Sequence, residues 1–262
     1  MKFESVTVRA PAKINLFLQV KGRRDDGYHD IESVMQAVSL FDELRLTRSQ
    51  AGSVSIAWAE GVDGRIPEKP DLVERTLGIL NETVGGTQAA DVKLIKRIPV
   101  AAGLAGGSSD AAAAIEGIKW LMHGELPDSV AAEVASQVGS DVGFFLRGGT
   151  CLAMGRGEVV TSLDSPQLWW VIGISDAELS TADVYERFDQ IGSPNGRQVD
   201  AMVHALASND PGKIGNTLFN DLEAAAASIF GAIPSLKDAV AKAGALGVVM
   251  TGSGPTIAGL CS

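Results

Sequence analysis

Alternating apolar and polar residues near the N-terminus predict a long first strand over residues 5–20. Four aliphatic side chains recur at every second position: Ile14, Leu16, Leu18 and Val20. This is the period of a strand with one buried face, so Lys13 and Asn15 should share the opposite face. The turn pair Asp26-Gly27 follows shortly afterwards.

Apolar stripes with helical spacing occur throughout the chain. Asp71 with Glu74, and Ser180 with Asp183, form capping-box patterns that predict helices reaching about Val84 and Phe188. Further helices are predicted over 129–138, 198–207, 211–229 and 234–243. Strands are predicted over 44–47, 54–58, 91–98 and 168–174, with two more within 142–161 around Arg147-Gly148-Gly149. Helices and strands mix without strict alternation, which favours an α+β fold, and we place the boundary between two domains, 1–160 and 161–262, near residue 160.

Composition narrows the class of protein. The 262 residues are 45% hydrophobic and 21% charged, as in soluble globular proteins, and the formal net charge is −10. No segment has the ~20 consecutive apolar residues of a membrane span, and the N-terminal residues contain no apolar signal-peptide core. Cys151 and Cys261 form neither a metal-binding spacing nor a disulfide framework. We therefore expect a cytoplasmic protein that binds neither membranes nor nucleic acid.

The segment Pro99–Ala114, PVAAGLAGGSSDAAAA, is the most informative motif. Its glycines let the backbone approach a ligand, and Ser108, Ser109 and Asp110 are suitable N-cap residues for the alanine-rich helix that follows. Backbone amides that lead into a helix N-terminus favour an anion such as phosphate. The segment is neither a Walker A loop nor a G-x-G-x-x-G fingerprint. The alternative is a flexible turn before a core helix.

A second loop of small residues, Thr251–Thr256, follows the apolar run Val248–Met250 near the C-terminus. By itself it is more typical of an ordinary hairpin turn than of a functional loop. Two such loops in one chain of this size weaken the interpretation of either as an ordinary turn.

Taken together, three segments resemble the motifs of the GHMP kinase family: Pro11–Leu16, the loop 99–110, and Thr251–Thr256. The resemblance implies a two-domain GHMP kinase fold, with an N-terminal domain like the second domain of ribosomal protein S5 and a ferredoxin-like C-terminal domain. It implies ATP as cofactor, with its phosphates on a set of loop residues: Pro99, Gly103, Leu104, Ala105, Gly106, Gly107, Ser108 and Ser109. It also implies Mg²⁺, and leaves open whether Ser108 or Ser109 supplies a hydroxyl ligand.

The resemblance also assigns roles in the transfer. Asp141 is implied as the catalytic base that takes the proton of the substrate hydroxyl, with Lys13 as its partner and Asn15 as a hydrogen-bond donor to the substrate. The alternative for Lys13 and Asp141 is a structural ion pair or two unrelated surface charges. Lys96, just before the loop, either meets the nucleotide or is a solvated lysine at a strand end.

Two further segments, Asp26–His29 and Ser180–Tyr185, resemble a branch of the family that phosphorylates a cytidine diphosphate-linked small molecule in isoprenoid precursor synthesis. The resemblance implies that Tyr28, His29, Tyr185 and Thr181 bind the substrate, with aromatic rings suited to a pyrimidine. The alternatives are a kinase of the mevalonate or homoserine type, or a catalytically silent nucleotide-binding module. Either a monomer or a homodimer is compatible with the sequence.

Overall fold

The computed structural model describes residues 4–60, 62, 71–85, 90–175, 177–192 and 197–262. The chain forms two compact units, each assembled from three segments. Unit 1 comprises Met1–Ala12, Ala37–Val100 and Ala105–Gly148, and unit 2 comprises Lys13–Gln36, Ala101–Leu104 and Gly149–Ser262. The glycine-rich loop therefore contributes residues to both units. The proposed boundary near residue 160 stays a prediction.

The described residues form ten strands and nine helices. The strands are β1 (Ser5–Arg23), β2 (His29–Arg48), β3 (Ser53–Trp58), β4 (Ala90–Lys96), β5 (Thr150–Gly155), β6 (Val159–Leu163), β7 (Trp169–Gly173), β8 (Phe219–Asn220), β9 (Gly247–Met250) and β10 (Ile257–Cys261). The helices are α1 (Leu72–Thr83), α2 (Gly106–Leu121), α3 (Asp128–Val138), α4 (Val142–Arg147), α5 (Thr181–Ile191), α6 (Val199–Ala207), α7 (Pro211–Thr217), α8 (Glu223–Ile229) and α9 (Ile233–Lys242). The α+β class is confirmed.

Unit 1 packs helices α1–α4 against a sheet in the order β3-β4-β2-β1. β3 is parallel to β4, and β4 is antiparallel to β2, with Glu43 opposite Ile95. The alanine run 111–114 of α2 is buried, and a Cβ on Gly117 would lie 2.4 Å from Cδ1 of Leu46. Small residues thus let α2 lie close to the sheet, which fixes the position of its N-terminus.

Unit 2 contains a sheet in the order β6-β5-β2-β1-β8 and a second, antiparallel sheet in the order β7-β10-β9. β8 is a two-residue parallel partner of β1, with Phe17 opposite Phe219. Buried aliphatic and aromatic residues from β1, α5, α8, α9 and the second sheet form one core, including Leu18, Val184, Phe188, Ile233 and Met250. This core holds β1 and the loop after β9 in place.

Most predicted elements occur at the expected positions, because their local signals are strong. The Asp71 side chain accepts a hydrogen bond from the Glu74 amide, and Ser180 accepts one from Asp183, as the capping patterns predict. β1, β3, β4 and β7 coincide with predicted strands to within a few residues. α3, α6 and α9 coincide equally well with predicted helices.

Three local predictions were wrong. Residues 142–147 form the short helix α4 instead of a strand, and the two strands of that region are β5 and β6. The single helix expected over 211–229 is divided into α7, β8 and α8, because Phe219-Asn220 pairs with β1. β1 is buried on both faces from Ala12 to Val20, so the expectation of one exposed face was wrong. The periodicity of a sequence shows that one face of a strand is polar, but not whether other polar residues cover that face.

Candidate active site

Helix α2 of unit 1 begins at Gly106, earlier than the N-cap candidates Ser108, Ser109 and Asp110 suggest. Its N-cap residue is Ala105, in the left-handed conformation with φ 54° and with no side-chain hydrogen bond to the helix. A Cβ on Gly106 would lie 2.9 Å from Cγ2 of Ile98 and 3.3 Å from Nζ of Lys96, so only glycine fits without displacement. The first amides of α2 lack intrahelical acceptors and can bind an anion.

A buried charge triad, formed by Asp42, Lys96 and Asp110, lies beneath this helix start. Lys96 Nζ is 2.5 Å from Asp42 and 2.6 Å from Asp110, and none of the three residues is more than 2% exposed. The other Asp42 oxygen accepts the backbone N–H groups of Arg97 and Ile98. The triad therefore ties the end of β4 to the first turn of α2, on either side of the glycine-rich loop.

The triad also sets the protonation of its members. Burial lowers the pKa of Lys96, but the nearby carboxylates of Asp110 and Asp42 outweigh it and leave that pKa raised. Burial raises the pKa of Asp110 well above its ordinary value, against the attraction of Lys96. The interpretation of Lys96 as a solvated strand-end lysine was wrong. Two of its three N–H donors bind carboxylates, and its contact with a nucleotide stays a prediction.

Two further predicted residues of unit 1 lie close to the start of α2. Ser109 is buried, and its Oγ has no hydrogen-bond partner among the described residues. Ser108 is half-buried, and its Oγ lies 4.0 Å from the point that a Cβ on Gly139 would occupy. Among the described residues, no group of three or more histidine, cysteine, aspartate or glutamate side chains could hold a metal ion.

Asp141 of unit 1 occupies the N-cap position of α4 and is half-buried. Its side chain does not cap the helix, and in the described part of unit 1 no hydrogen bond to its carboxylate is found. A carboxylate with this freedom can accept a proton from a bound group. Its role as the base stays a prediction.

In unit 2, the uncharged side chain of Asn15 is the centre of a buried cluster of hydrogen bonds that includes the Lys13 ammonium. Its Oδ1 accepts Nζ of Lys13 at 2.5 Å and the Gly252 amide at 2.9 Å, and its Nδ2 donates to Ser33 Oγ at 2.8 Å. The Thr251 hydroxyl accepts the Asn15 amide at 3.0 Å. The prediction that Lys13 and Asn15 share a face is confirmed. The cluster orients the Lys13 ammonium, which is 4% exposed.

The loop Thr251–Thr256 joins the same cluster. A Cβ on Gly103 would lie 2.4 Å from the Thr251 carbonyl oxygen, so the two backbones touch. Asn220 donates from Nδ2 to the carbonyl oxygens of Met250 and Gly252, at 2.7 and 2.8 Å. The Thr181 hydroxyl lies 2.9 Å from that of Ser253. Thus unit 2 brings together Lys13 and Asn15, the 101–104 part of the glycine-rich loop and the C-terminal loop.

An aromatic cluster occupies another part of unit 2. His29 stacks on Tyr185, with ring centroids 4.8 Å apart and an angle of 29° between the planes. His29 Nε2 lies 2.7 Å from Oδ1 of Asp189. Tyr28 is 57% exposed, and the Arg156 guanidinium lies 5.1 Å from the centre of its ring. An exposed tyrosine with a cation over one face is a ready surface for a planar ligand.

Residues that flank Tyr28 and His29 in the chain line an open cavity of about 450 Å³. They are Arg23, Arg24, Asp25, Asp26 and Asp30. Arg24 binds Asp26 and Asp30, at 3.1 and 2.7 Å. These ion pairs order the turn that carries Tyr28, whose amide donates to Asp26 Oδ1.

Several residues that hold these clusters were not predicted from the sequence: Asp42, Thr251, Ser253, Asn220 and Asp189. Thr251 and Ser253 lie in the loop Thr251–Thr256, which resembles a family motif. Asp189 follows Tyr185 by four residues, so helical spacing places the two on one face of α5. Asp42 carries no local signal, because its partners lie more than 50 residues away.

The fold, the Asn15 cluster and the aromatic cluster are those of a small-molecule kinase, and comparison with known proteins agrees with this class. Residues 71–149 match the GHMP kinases N terminal domain and residues 202–262 match the GHMP kinases C terminal domain. The chain belongs to the GHMP kinase family. No helix among the described residues is long and apolar enough to cross a membrane.

Several similar relatives have the same name. A 4-diphosphocytidyl-2-C-methyl-D-erythritol kinase of Pelotomaculum thermopropionicum is 42% identical over 97% of this chain and 88% of its own length. One of Thermoanaerobacter pseudethanolicus is 38% identical over 98% of this chain and 88% of its own length. The crystal structure of a 4-(cytidine 5'-diphospho)-2C-methyl-D-erythritol kinase superposes with a TM-score of 0.81 and 30% identity, over 98% of this chain and 90% of that one.

Proposed function

We propose that this chain transfers the γ-phosphoryl group of ATP to the 2-hydroxyl of 4-diphosphocytidyl-2-C-methyl-D-erythritol, a step of the non-mevalonate isoprenoid precursor pathway. The observation that carries the proposal is that unit 2 contains both an ordered lysine for phosphoryl transfer and an aromatic cluster suited to a pyrimidine. The similarity to kinases of that name over nearly the whole chain supports the same substrate.

The ATP phosphates bind the backbone amides at the start of α2. Gly106 and the left-handed Ala105 keep this turn tight, and the helix dipole favours the negative charge. The remaining cradle residues are Pro99, Gly103, Leu104, Gly107, Ser108 and Ser109. Lys96 contacts the nucleotide at this end of the loop as well.

Mg²⁺ neutralises phosphate charge during the transfer when it is bound. It commonly takes only one or two protein ligands together with phosphate oxygens and water. The hydroxyl of Ser108 or Ser109 fits this requirement, and the unpartnered Ser109 Oγ is the observation that supports it.

Asp141 takes the proton of the acceptor hydroxyl, and Lys13 offsets the negative charge that develops on the transferred phosphoryl group. Support for Lys13 comes from the cluster around Asn15, which holds the ammonium in one orientation. Support for Asp141 comes from its half-buried carboxylate without a capping bond.

Tyr28, His29 and Tyr185 bind the cytidine end of the substrate. Asn15 and Thr181 contribute hydrogen-bonding groups. The exposed ring of Tyr28 and the stacked His29–Tyr185 pair offer planar surfaces for the base.

A substrate panel with ATP and Mg²⁺ tests this function. The wild-type chain should phosphorylate 4-diphosphocytidyl-2-C-methyl-D-erythritol, detected by mass spectrometry of the product, and should leave mevalonate and homoserine unchanged. Turnover of either of those alcohols without turnover of the cytidine substrate would refute the proposal. ATP binding without any turnover would indicate a silent nucleotide-binding module.

A further inference from the structure

The contact between His29 and Asp189 has a chemical consequence beyond holding the ring in place. Nε2 of His29 lies 2.7 Å from Oδ1 of Asp189, and the His29 side chain is only 8% exposed. Oδ2 of Asp189 also lies 3.5 Å from the Arg23 guanidinium. An ionised carboxylate can only accept hydrogen bonds, so Nε2 must be the nitrogen that carries the proton.

In a neutral imidazole the second nitrogen then presents a lone pair. No hydrogen bond to Nδ1 of His29 is found among the residues that the structure describes. The stack on Tyr185 restricts rotation of the ring, so Asp189 and Tyr185 together fix both the tautomer and the direction of the lone pair.

We propose that Asp189 is a specificity-determining residue, which positions His29 so that Nδ1 accepts a hydrogen bond from the 4-amino group of a cytosine base. This inference rests on the proposed function, because it requires a pyrimidine nucleotide at the aromatic cluster. Asp189 acts through His29 and does not itself touch the base.

The proposal explains how the site would distinguish two bases of nearly equal shape. Cytosine carries an amino group at position 4, which donates, whereas uracil carries an oxygen there, which accepts. Nδ1 with a lone pair matches cytosine and opposes uracil. If Asp189 is removed, either nitrogen can carry the proton, and the ring can then donate to uracil.

The first measurement reads the tautomer directly. In protein labelled with ¹⁵N-histidine at about pH 8, where an ordinary imidazole is neutral, the nitrogen shifts of His29 should show a proton on Nε2. The chain has three histidines, so a His29→Gln spectrum assigns the signal. Asp189→Ala should shift His29 to a mixture of both tautomers. A wild-type proton on Nδ1 would overturn the inference.

The second measurement is the ratio of kcat/KM for the cytidine-linked substrate to kcat/KM for its uridine-linked analogue. Asp189→Ala should lower this ratio about tenfold, within the range that one base-specific hydrogen bond contributes. Asp189→Glu should restore most of the preference, because it keeps the carboxylate. Glu186→Gln removes an exposed acid from the same helix and should leave the ratio at the wild-type value.

An unchanged ratio in Asp189→Ala, with full turnover of the cytidine substrate, would overturn the role of Asp189 and leave the proposed function intact. A failure of the wild-type chain to phosphorylate the cytidine substrate would overturn both. A folding defect would lower turnover of both substrates equally and leave their ratio unchanged. A ratio that falls in Asp189→Ala and is restored in Asp189→Glu would therefore contradict a purely structural role.

Discussion

The chain holds two parts of its glycine-rich loop by different kinds of interaction. In unit 1, the start of α2 is tied down by the charged residues Asp42, Lys96 and Asp110, all buried. In unit 2, residues 101–104 touch a loop that is held by hydrogen bonds between uncharged groups, such as the Gly252 amide and Asn15 Oδ1. A buried charge strongly destabilises the fold when one of its partners is removed. A hydrogen bond between uncharged groups contributes only a modest amount to the free energy of unfolding. The two regions should therefore respond differently to mutation and to pH.

The largest effect is expected for Lys96→Met. It leaves two carboxylates buried without their ammonium partner and should lower the free energy of unfolding by about 3–5 kcal/mol. Urea denaturation followed by circular dichroism measures the loss. Lys237→Met is the matched control, because Lys237 binds Glu223 at the same 2.5 Å but with both side chains 27% exposed, and should cost at most about 1 kcal/mol. Equal losses would show that the burial of the triad has no energetic importance.

Gly103→Ala should have the next largest effect. Gly103 has φ +75°, and a Cβ would lie 2.4 Å from the carbonyl oxygen of Thr251, which is backbone and cannot turn aside. Strain and displacement together should cost about 2–4 kcal/mol in the free energy of unfolding. Gly22→Ala is the control, since a Cβ there meets nothing within 4 Å. A Gly103→Ala protein as stable as Gly22→Ala would contradict the close approach.

Asn15→Ala probes the cluster around Asn15 and should lower the free energy of unfolding by about 1–3 kcal/mol. It leaves the buried Gly252 amide without its acceptor and removes one of the two hydrogen bonds of the Ser33 hydroxyl, which still donates to the Phe17 carbonyl oxygen. It also removes a hydrogen bond that orients Lys13, so kcat should fall more than the affinity for ATP. Asn216→Ala, at an exposed position, should change stability by no more than about 0.5 kcal/mol. A stability loss with unchanged kcat would show that Asn15 does not orient Lys13.

The smallest effect is the dependence of stability on pH that Asp110 should give the charge triad. The pKa of Asp110 is raised in the folded state above its ordinary value of 3.8, so the folded chain binds more protons than the unfolded chain above that pH. The contribution of Asp110 to stability must then decrease as pH rises from about 4 through the raised pKa. Asp110→Asn should remove this slope relative to the wild type, measured by denaturation at several pH values. A steeper slope in the variant would reverse the assignment.

Much of the fold was predictable, because its signals are local. The capping residues Asp71 and Ser180 and the alternation in β1 each depend on neighbours a few residues away. The alanine run of α2 was equally clear. The elements that were predicted wrongly depend on distant contacts. α4 depends on packing, and the interruption at Phe219-Asn220 depends on pairing with a strand about 200 residues earlier.

The site shows the same limit. The motifs identified Lys13 and Asn15 as neighbours on one face, but gave no indication that Thr251 and Gly252 complete their hydrogen bonds. The sequence also placed Lys96 beside the loop without its partner Asp42, which is 54 residues away. The residues that hold functional side chains in place do so through tertiary contacts. Patterns in a single sequence do not indicate these contacts.

Phosphoryl transfer to 4-diphosphocytidyl-2-C-methyl-D-erythritol by wild type and by Asp141→Asn tests the central claim most directly. The proposed mechanism predicts turnover by the wild type and a loss in kcat of about 10³-fold in the variant, with ATP affinity nearly unchanged, because only the base is removed. Asp128→Asn, an exposed change in the same unit, should retain wild-type turnover. Equal turnover by wild type and Asp141→Asn would contradict the account.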